Sequence, residues 1–565
     1  MFRHSIKKIR TKLLKRWNIP DIGPLFGIDI DTTLLSLGKE ARRRLEAYPF
    51  HERKKILYLP SFYISNNHAL SDATNILALQ LRGAEVVPVL SGFFYQKEDI
   101  IFGGFYNSDR FNNQYSYAQK ENRLLASFLM TEPISLTPYL SGEDNVRAEA
   151  LAQELSFDAV DMEYRGIKIG KLAESAVINM SMTSEFEHTE ESLRQFRCHI
   201  SNIVRLIEAY EQIIDTVRPD AIVTNFHFYY KWAVPHAIAK EKGIPIYSFI
   251  ESGDRPNAFA WSSESVQMYD ASLCWDSYYK SEIYEQYSDV IEQSIKKRKK
   301  GKISHWNYIN PSGMSSPEVN EIVNRINRRT AILFAVNVLV DASALYPGKP
   351  FSSCFGMVKE VIEYFRKHPE YFCILKAHPG EKLFPRNSLS DWRLVDALRS
   401  ADIELPENVV FIDSDTKINS NDLYDFVNGL IAYTSSASYE IALTGKKSLN
   451  ALVSHYTKMG FCTVPETKEA FFIKLTEILS QTVEESVSDE ISKLGRAFYF
   501  LFHFIVQTDL KLFDGDQLNL FPLRLLYDKI DALLPGKNEA LDYICDSILT
   551  GKPIFGENRW PPVTI

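Results

Sequence analysis

Cysteine is scarce and scattered in this chain. Six occur in 565 residues, at Cys198, Cys274, Cys354, Cys373, Cys462 and Cys545, and no two form a C-x-x-C pair. That spacing argues against a zinc site and against a disulfide framework, and it fits a reducing compartment. Long apolar runs are missing too. The longest, such as Ala331–Val340 and Phe498–Val506, fall far short of the ~20 residues that cross a bilayer. The first residues lack the apolar core of a secretory signal, so a cytoplasmic location is expected. There is no excess of basic charge. The 64 Lys and Arg against 72 Asp and Glu give a net charge of −8, which argues against a nucleic-acid binder. The lone glycosylation-type triplet, Asn179-Met-Ser181, reads as chance.

Apolar material, by contrast, is plentiful. Hydrophobic residues make up 45% of the chain and charged residues 24%. The length exceeds what one core ordinarily organises, so two or more domains are expected. The opening stretch MFRHSIKKIRTKLLKRW places Phe2, Ile6, Ile9, Leu13 and Trp17 at helical spacing. Arg3, Lys7, Lys8, Arg10, Lys12, Lys15 and Arg16 fill the positions between. A basic amphipathic helix over residues 1–20 is expected. Residues 1–17 suit an anionic inner-membrane surface, where each basic residue contributes roughly 1 kcal/mol. The competing reading docks the apolar face on the protein itself.

From Lys55 the pattern is α/β. The run KKILYLP reads as a buried strand, ALSDATNILALQLRG as a helix closed by Gly83, and AEVVPVL as the next strand. A second unit of this kind runs from DAIVTN through a helix at Lys231–Lys242, closed by Gly243, to IPIYSFI and the loop Glu251–Arg255. The stretch SIKKRKKGKISHWNYINPSGMSS then turns basic and afterwards rich in Gly, Pro, Ser and Asn, and reads as a solvated linker. Beyond it RTAILFAVNVLVDAS restarts with a strand. A helix over Cys354–Lys367 follows, then the strands YFCILKAHP, NVVFID, NGLIAY and KKSLNAL, with the helix SSASYEIALTG closed by Gly445. The expected division is an N-terminal Rossmann-like domain at 50–290, a linker at 291–328, a C-terminal Rossmann-like domain at 329–470 and a mostly helical tail at 471–565.

Ligands of doubly wound sheets sit at the carboxyl ends of the strands. In the second domain three segments meet that condition: Asn337–Asp341, Lys376–Glu381 and Thr434–Glu440. Lys376 and His378 stand two positions apart in an extended chain and so point to one side. Pro379 stops the ladder and fixes the turn. A cation and a hydrogen-bond donor thus meet at a sheet edge, where a phosphate fits. Thr434, Ser435 and Ser436 lie where a strand becomes a helix, and backbone N–H groups there bind anions. Glu440, about one turn on, suits ribose hydroxyls. The plainer reading makes Ser435 or Ser436 an N-cap and His378 a satisfied turn residue.

These segments carry a resemblance. LKAHPGE, LIAYTSSASYEIALTGKKSL and HYTKMGFCT look like the C-terminal half of the capsule polysaccharide biosynthesis family, GT-B type glycosyltransferases of bacterial surface-polysaccharide pathways. FAVNVLVDAS resembles the strand and loop that open that half. EYRGIKIG, NFHFYYKWAVPHAIAKEKGIPIYSF and SGDRPNAFAW resemble the N-terminal half. The likeness covers most of Lys55–Leu479, and less clearly RAFYFLFHF in the tail. It implies two Rossmann-like domains facing a cleft, with C-terminal helices crossing back onto the first. It implies a nucleotide-sugar donor held by the C-terminal domain and a glycan or glycolipid acceptor held mainly by the N-terminal one. Lys376 and His378 would neutralise the leaving phosphate, Thr434, Ser435 and Ser436 would bind it, Glu440 would hold the ribose, and Asn337 and Lys458 would line the donor site. Fixed cations and donors of this kind replace a metal. The D-x-D triplets at Asp29, Asp413 and Asp514 stand in no convincing site, so neither a catalytic metal nor a cofactor is expected.

A general base for the acceptor hydroxyl is sought in the N-terminal domain. His68, after the first strand, and Glu251 and Asp254, after IPIYSFI, are placed for it by topology. Arg255, Asn225, His227 and Lys231 are candidates for acceptor binding. Three other functions share these motifs or this architecture. Teichoic-acid type polyol-phosphate transferases also use a histidine-proline turn and a serine pair. UDP-N-acetylglucosamine 2-epimerases typically carry a glycine-rich loop followed by paired glutamates, where this chain has TSSASYE and the single Glu440. A non-catalytic assembly subunit is the remaining alternative.

Overall fold

The structure is a computed structural model. It describes residue 43 and residues 54–60, 66–90, 133–224, 229–251, 258–263, 270–300, 317–341, 348–383, 392–511 and 531–565, with strand pieces at 513–514 and 524–525. The amphipathic stretch 1–20, and with it the proposed membrane contact of residues 1–17, lies outside the described residues.

Two sheets organise the chain. The first holds β1 (Lys55–Leu59), β2 (Glu85–Leu90), β3 (Ile134–Ser135), β4 (Ala221–Thr224), β5 (Ile246–Glu251) and β6 (Ala258–Ser262). The second holds β7 (Ala331–Ala335), β8 (Phe372–Lys376), β9 (Val409–Ile412), β10 (Gly429–Ala432), β11 (Ser448–Asn450) and β12 (Cys462–Thr463). A short tail strand, β13 (Gln507–Asp509), joins the first sheet.

The first sheet runs β13-β6-β5-β4-β1-β2-β3, and β1 to β5 pair in parallel. Strand β6 is antiparallel to β5 and to β13. Four consecutive apolar residues, Ile56 to Leu59, are buried. Ile56 and Tyr58 face one core, Leu57 and Leu59 the other. Burial on both faces is why the strand reads as an unbroken apolar run rather than an alternation. Helix Asn66–Gln80 returns from β1 to β2, and Gly83 ends the turn at φ +91°. Gly243 and Gly445 take the same left-handed form at φ +67° and +83°, a conformation glycine adopts without a Cβ penalty.

The second sheet is parallel throughout, in the order β12-β11-β10-β7-β8-β9. Read from β7, the chain first builds outward through β8 and β9, then returns to the other side of β7 with β10, β11 and β12. This is the doubly wound order with its switch point between β7 and β10.

The tail, expected to be mostly helical, adds a short strand to its helices. Helices Lys468–Leu479 and Asp489–Phe500 lead through a π-helical turn, Leu501–Val506, into β13, which extends the first sheet beside β6. Phe498, Tyr499, Phe500, Leu501 and Ile505 bury into the core that also holds Ile56, Tyr58 and Phe249. Helix Glu539–Thr550 is tied to the first unit by Arg82, whose Nη2 lies 2.6 Å from Asp542 Oδ1. The chain therefore crosses back over the N-terminal unit, as the architecture expected from the sequence requires.

The stretch expected as a linker is partly helical. Ser288–Lys299 and Pro317–Ile326 are both helices. A further contact joins the two units near β7. Asn179 donates to the Val340 carbonyl at 2.9 Å, Lys359 pairs with Glu185 at 2.8 Å, and Met182, Val338, Val340 and Trp392 form a small apolar cluster.

Candidate functional site

Three loops leave the carboxyl ends of β7, β8 and β10 side by side. The β7–β8 register pairs Ala335 with Lys376, and the Val336 N–H donates to the Lys376 carbonyl at 3.0 Å. Across the switch point, the Thr434 N–H donates to Asn337 Oδ1 at 3.2 Å. Asn337 therefore ties the loop after β7 to the loop after β10.

Lys376 is the last residue of β8 and is only 5% exposed. Loss of hydration and the nearby Lys382 ammonium pull its pKa down to about 8, against partial support from Glu381 and Asp422. His378 follows in the turn before Pro379–Leu383. Its Nδ1 accepts the Gly380 N–H at 3.0 Å, so Nε2 carries the proton of the neutral ring. Burial, aided by Lys376, pushes the imidazole pKa down to about 4. At neutral pH this edge thus presents a partly titrating ammonium and a neutral N–H donor.

Glu381 was not singled out by its pattern, although it ends the KAHPGE turn. It is fully buried. Its Oε1 accepts the Leu394 N–H at 3.1 Å, while Oε2 has no partner among the described residues. Burial raises its pKa to about 7. Arg393 donates to the Glu381 carbonyl at 3.1 Å and stands 3.7 Å from Asp415. A signal for Glu381 existed: the acid falls in the first turn after a proline that ends a strand, where a carboxylate caps backbone N–H groups.

The serine turn differs from its expected form. The helix it opens, Ala437–Ala442, has six residues, and several of the N–H groups expected to face an anion are already engaged. Thr434 N–H is held by Asn337, Ser435 N–H donates to Tyr456 Oη at 2.9 Å, and Ala437 N–H donates to Ser435 Oγ at 3.2 Å. Tyr456 Oη donates back to the Ser435 carbonyl at 2.7 Å and accepts from Asn450 Nδ2 at 2.9 Å. Ser435 is thus an organised turn residue, and Ser436 is the exposed member of the pair. Tyr456 and Asn450 were missed as site-building residues. Nothing in a short apolar strand or a 3₁₀ turn announces that their side chains meet over a serine.

Glu440 is also engaged. Its Oε1 takes Arg298 Nε at 3.0 Å and Nη2 at 2.9 Å, and its Oε2 accepts Tyr424 Oη at 3.3 Å. Arg298 lies in the lysine-rich run read as solvated, yet its side chain is 15% exposed. That reading is corrected here: the run ends a helix, and Arg298 turns inward to an acid. Lys458 is exposed in the turn Thr457–Met459.

In the N-terminal unit, His68 lies in the first turn of helix Asn66–Gln80 and Glu251 closes β5 opposite Phe259. Lys231 is buried in helix Tyr230–Glu241. Asn225, His227, Asp254 and Arg255 lie outside the described residues. Among the described residues no group of three His, Cys, Asp or Glu is placed to hold a metal ion, and no helix is long and apolar enough to cross a membrane.

No protein-family model and no curated protein matches the chain. Among solved structures it is similar to the KpsC beta Kdo 2,4 transferase of Thermosulfurimonas dismutans, at 13% identity over 56% of this chain and 87% of that one, with a TM-score of 0.32. The KpsC beta Kdo 2,7 transferase of the same organism aligns at 11% identity over 58% and 88%, with a TM-score of 0.27. The UDP-GlcNAc 2-epimerase of Neisseria meningitidis aligns at 12% identity over 80% and 98%, with a TM-score of 0.25. At these values the likenesses carry no argument about the site.

Proposed function

We propose that the chain is a glycosyltransferase that moves a sugar from a nucleotide-activated donor to a bacterial surface polysaccharide acceptor. One observation carries this reading: Asn337 and the Ser435–Ser436 turn lie at the switch point of a fully parallel doubly wound sheet, and Lys376 with His378 ends the strand next to it, β8. Such a switch point is where α/β sheets bind ligands, and its chemistry here is cationic and rich in hydrogen-bond donors.

In the transfer, the bond from the anomeric carbon to the phosphate oxygen breaks. The electron pair leaves with the nucleotide, and the acceptor oxygen forms the new bond after losing its proton to a base. The Lys376 ammonium and the His378 Nε2–H meet the charge that builds on the departing phosphate, with the exposed Ser436 hydroxyl alongside. The ammonium counts for more at a dry sheet edge than in water. Glu440 serves the ribose only by sharing or exchanging its bond with Arg298. Glu251, Asp254 and His68 remain the proposed bases, with Asn225, His227, Lys231 and Arg255 toward the acceptor and Lys458 at the donor rim. Attachment through residues 1–17 to the cytoplasmic face of an anionic membrane belongs to the same proposal.

The test is a melting-temperature screen with CMP, CDP, UDP, GDP and their sugars on wild type and His378→Ala. A ligand at 100 times its Kd adds about 2.7 kcal/mol. A shift in wild type that the variant loses supports a donor-phosphate site. No shift with any nucleotide, with acceptor present or absent, refutes it.

A further inference from the structure

One fully buried histidine of the N-terminal unit has no structural explanation. His199 lies in helix Glu190–Val217, is 0% exposed, and neither ring nitrogen has a hydrogen-bond partner among the described residues. Thr224, the last residue of β4, is also 0% exposed, with its hydroxyl equally unpartnered. Buried polar groups are nearly always paired, and an imidazole must bring either an N–H or a bare nitrogen lone pair into that site whichever tautomer it takes.

Their position follows from two contacts. Helices Glu190–Val217 and Tyr230–Glu241 run side by side. At one end Lys242 pairs with Glu211 at 2.8 Å and Asp215 at 2.9 Å. At the other, the His199 ring lies 5.8 Å from that of Tyr230, the residue that opens the helix after β4. His199 is therefore level with the carboxyl end of β4. Thr224 shares a strand face with Ile222, and Ile222 packs in the core that holds Phe196, Ile200 and Tyr230, the neighbours of His199. The same end of the long helix is approached by the second unit, where Glu185 meets Lys359. Strands β4 and β1 are neighbours on either side of the point where the first sheet reverses its winding, the position at which such sheets take ligands.

We propose that His199 and Thr224 form a carbohydrate-hydroxyl subsite at the carboxyl end of β4. A neutral imidazole and a hydroxyl both give and accept hydrogen bonds, as sugar hydroxyls do. Burial keeps the ring neutral, pushing its pKa down to about 3. Both side chains are fully enclosed, so a sugar reaches them only as the surrounding side chains part. The ligand class rests on the transfer reading above; the burial and missing partners of His199 and Thr224 do not.

Saturation-transfer NMR with glucose, galactose, N-acetylglucosamine and galacturonate tests this on the full chain, for wild type, His199→Phe, His199→Gln and Thr224→Val. Wild type should transfer saturation to at least one sugar. His199→Phe should reduce that transfer at least tenfold while melting no lower than wild type, because an apolar ring replaces an unpaired polar one. His199→Gln should keep part of the signal and Thr224→Val should lose most of it. Should His199→Phe not fold, the last two variants carry the test. No transfer to any sugar in wild type, or unchanged transfer in the variants, overturns the proposal. The nucleotide melting shift, read on the same samples, fails independently if it is the donor site that is misread.

Discussion

Replacing Lys376 by Met should make the unliganded protein more stable and the nucleotide complex weaker. The substitution keeps an unbranched side chain one atom shorter and removes its charge. Lys376 is 5% exposed, and its pKa falls from the ordinary 10.5 to about 8. A depression of that size corresponds to about 3 kcal/mol held against the folded state wherever both states are protonated, below about pH 8. Between that pH and 10.5 the folded state sheds its proton while the unfolded chain keeps it, so wild-type stability rises with pH. The advantage of Lys376→Met should therefore be largest at pH 7, and smaller by about 2 kcal/mol at pH 9.5. Loss of the supporting charge beside Glu381 and Asp422 reduces the gain at pH 7 to about 1–2 kcal/mol. Urea melts at the two pH values measure it, and titration with the nucleotide found by the melting screen should show at least tenfold weaker binding. A variant that is less stable at pH 7, or whose advantage does not shrink as the pH rises, refutes the buried-ammonium account.

Glu381→Gln tests the opposite sign. The carboxyl pKa is raised from 4.5 to about 7, so the folded state holds the proton longer and wild type loses up to about 3 kcal/mol as pH climbs through that window. The amide keeps an acceptor for Leu394 and should flatten that loss in urea melts between pH 4.5 and 7; an unchanged slope would sink the assignment. Arg298→Ala should destabilise by about 1–3 kcal/mol, since it strips a largely buried carboxylate of its main partner. A double-mutant cycle with Glu440→Gln should return a coupling above about 1 kcal/mol, and additive effects would show the pair to be incidental. Phe498→Ala, in the core shared by the tail and the first sheet, should cost about 3–5 kcal/mol, and chemical denaturation should show it unfolding the N-terminal unit rather than the tail alone.

Strands β1, β2, β4, β5 and β7 to β11 were legible, because parallel strands buried on two faces leave continuous apolar runs, bounded here by glycines that take positive φ at Gly83, Gly243 and Gly445; β3, β6 and β12 were not. Helix Cys354–Lys367 carries its own signals: Ser353 accepts the Gly356 N–H at its start, and Arg366 and Lys367 complement the dipole at its end. Strand β13 was not legible. Three residues, Gln507, Thr508 and Asp509, carry no period, and they become a strand only because β6 offers an unpaired edge. Nor was the inward turn of Arg298. A lysine-rich run looks the same whether or not one cation meets an acid 142 positions away.

The candidate site divides along the same line. Local chemistry was readable: a lysine and a histidine leaving a strand before a proline, and serines where a strand becomes a helix. What the sequence does not contain is the competition for each group. Thr434, Ser435 and Ala437 present N–H groups in any strand-to-helix turn, but Asn337, Tyr456 and Ser435 Oγ take them. On the proposed donor-site reading, that consumption moves the weight of anion binding from the backbone to Lys376, His378 and Ser436. Lys376 is also the group whose burial has no structural return, because removing a poorly paired interior charge ordinarily stabilises a fold. A cation held there at a cost, beside a ring that Gly380 fixes as a donor through Nε2, is what the proposed phosphate site would need. For that reason stability and nucleotide affinity should move in opposite directions at this residue.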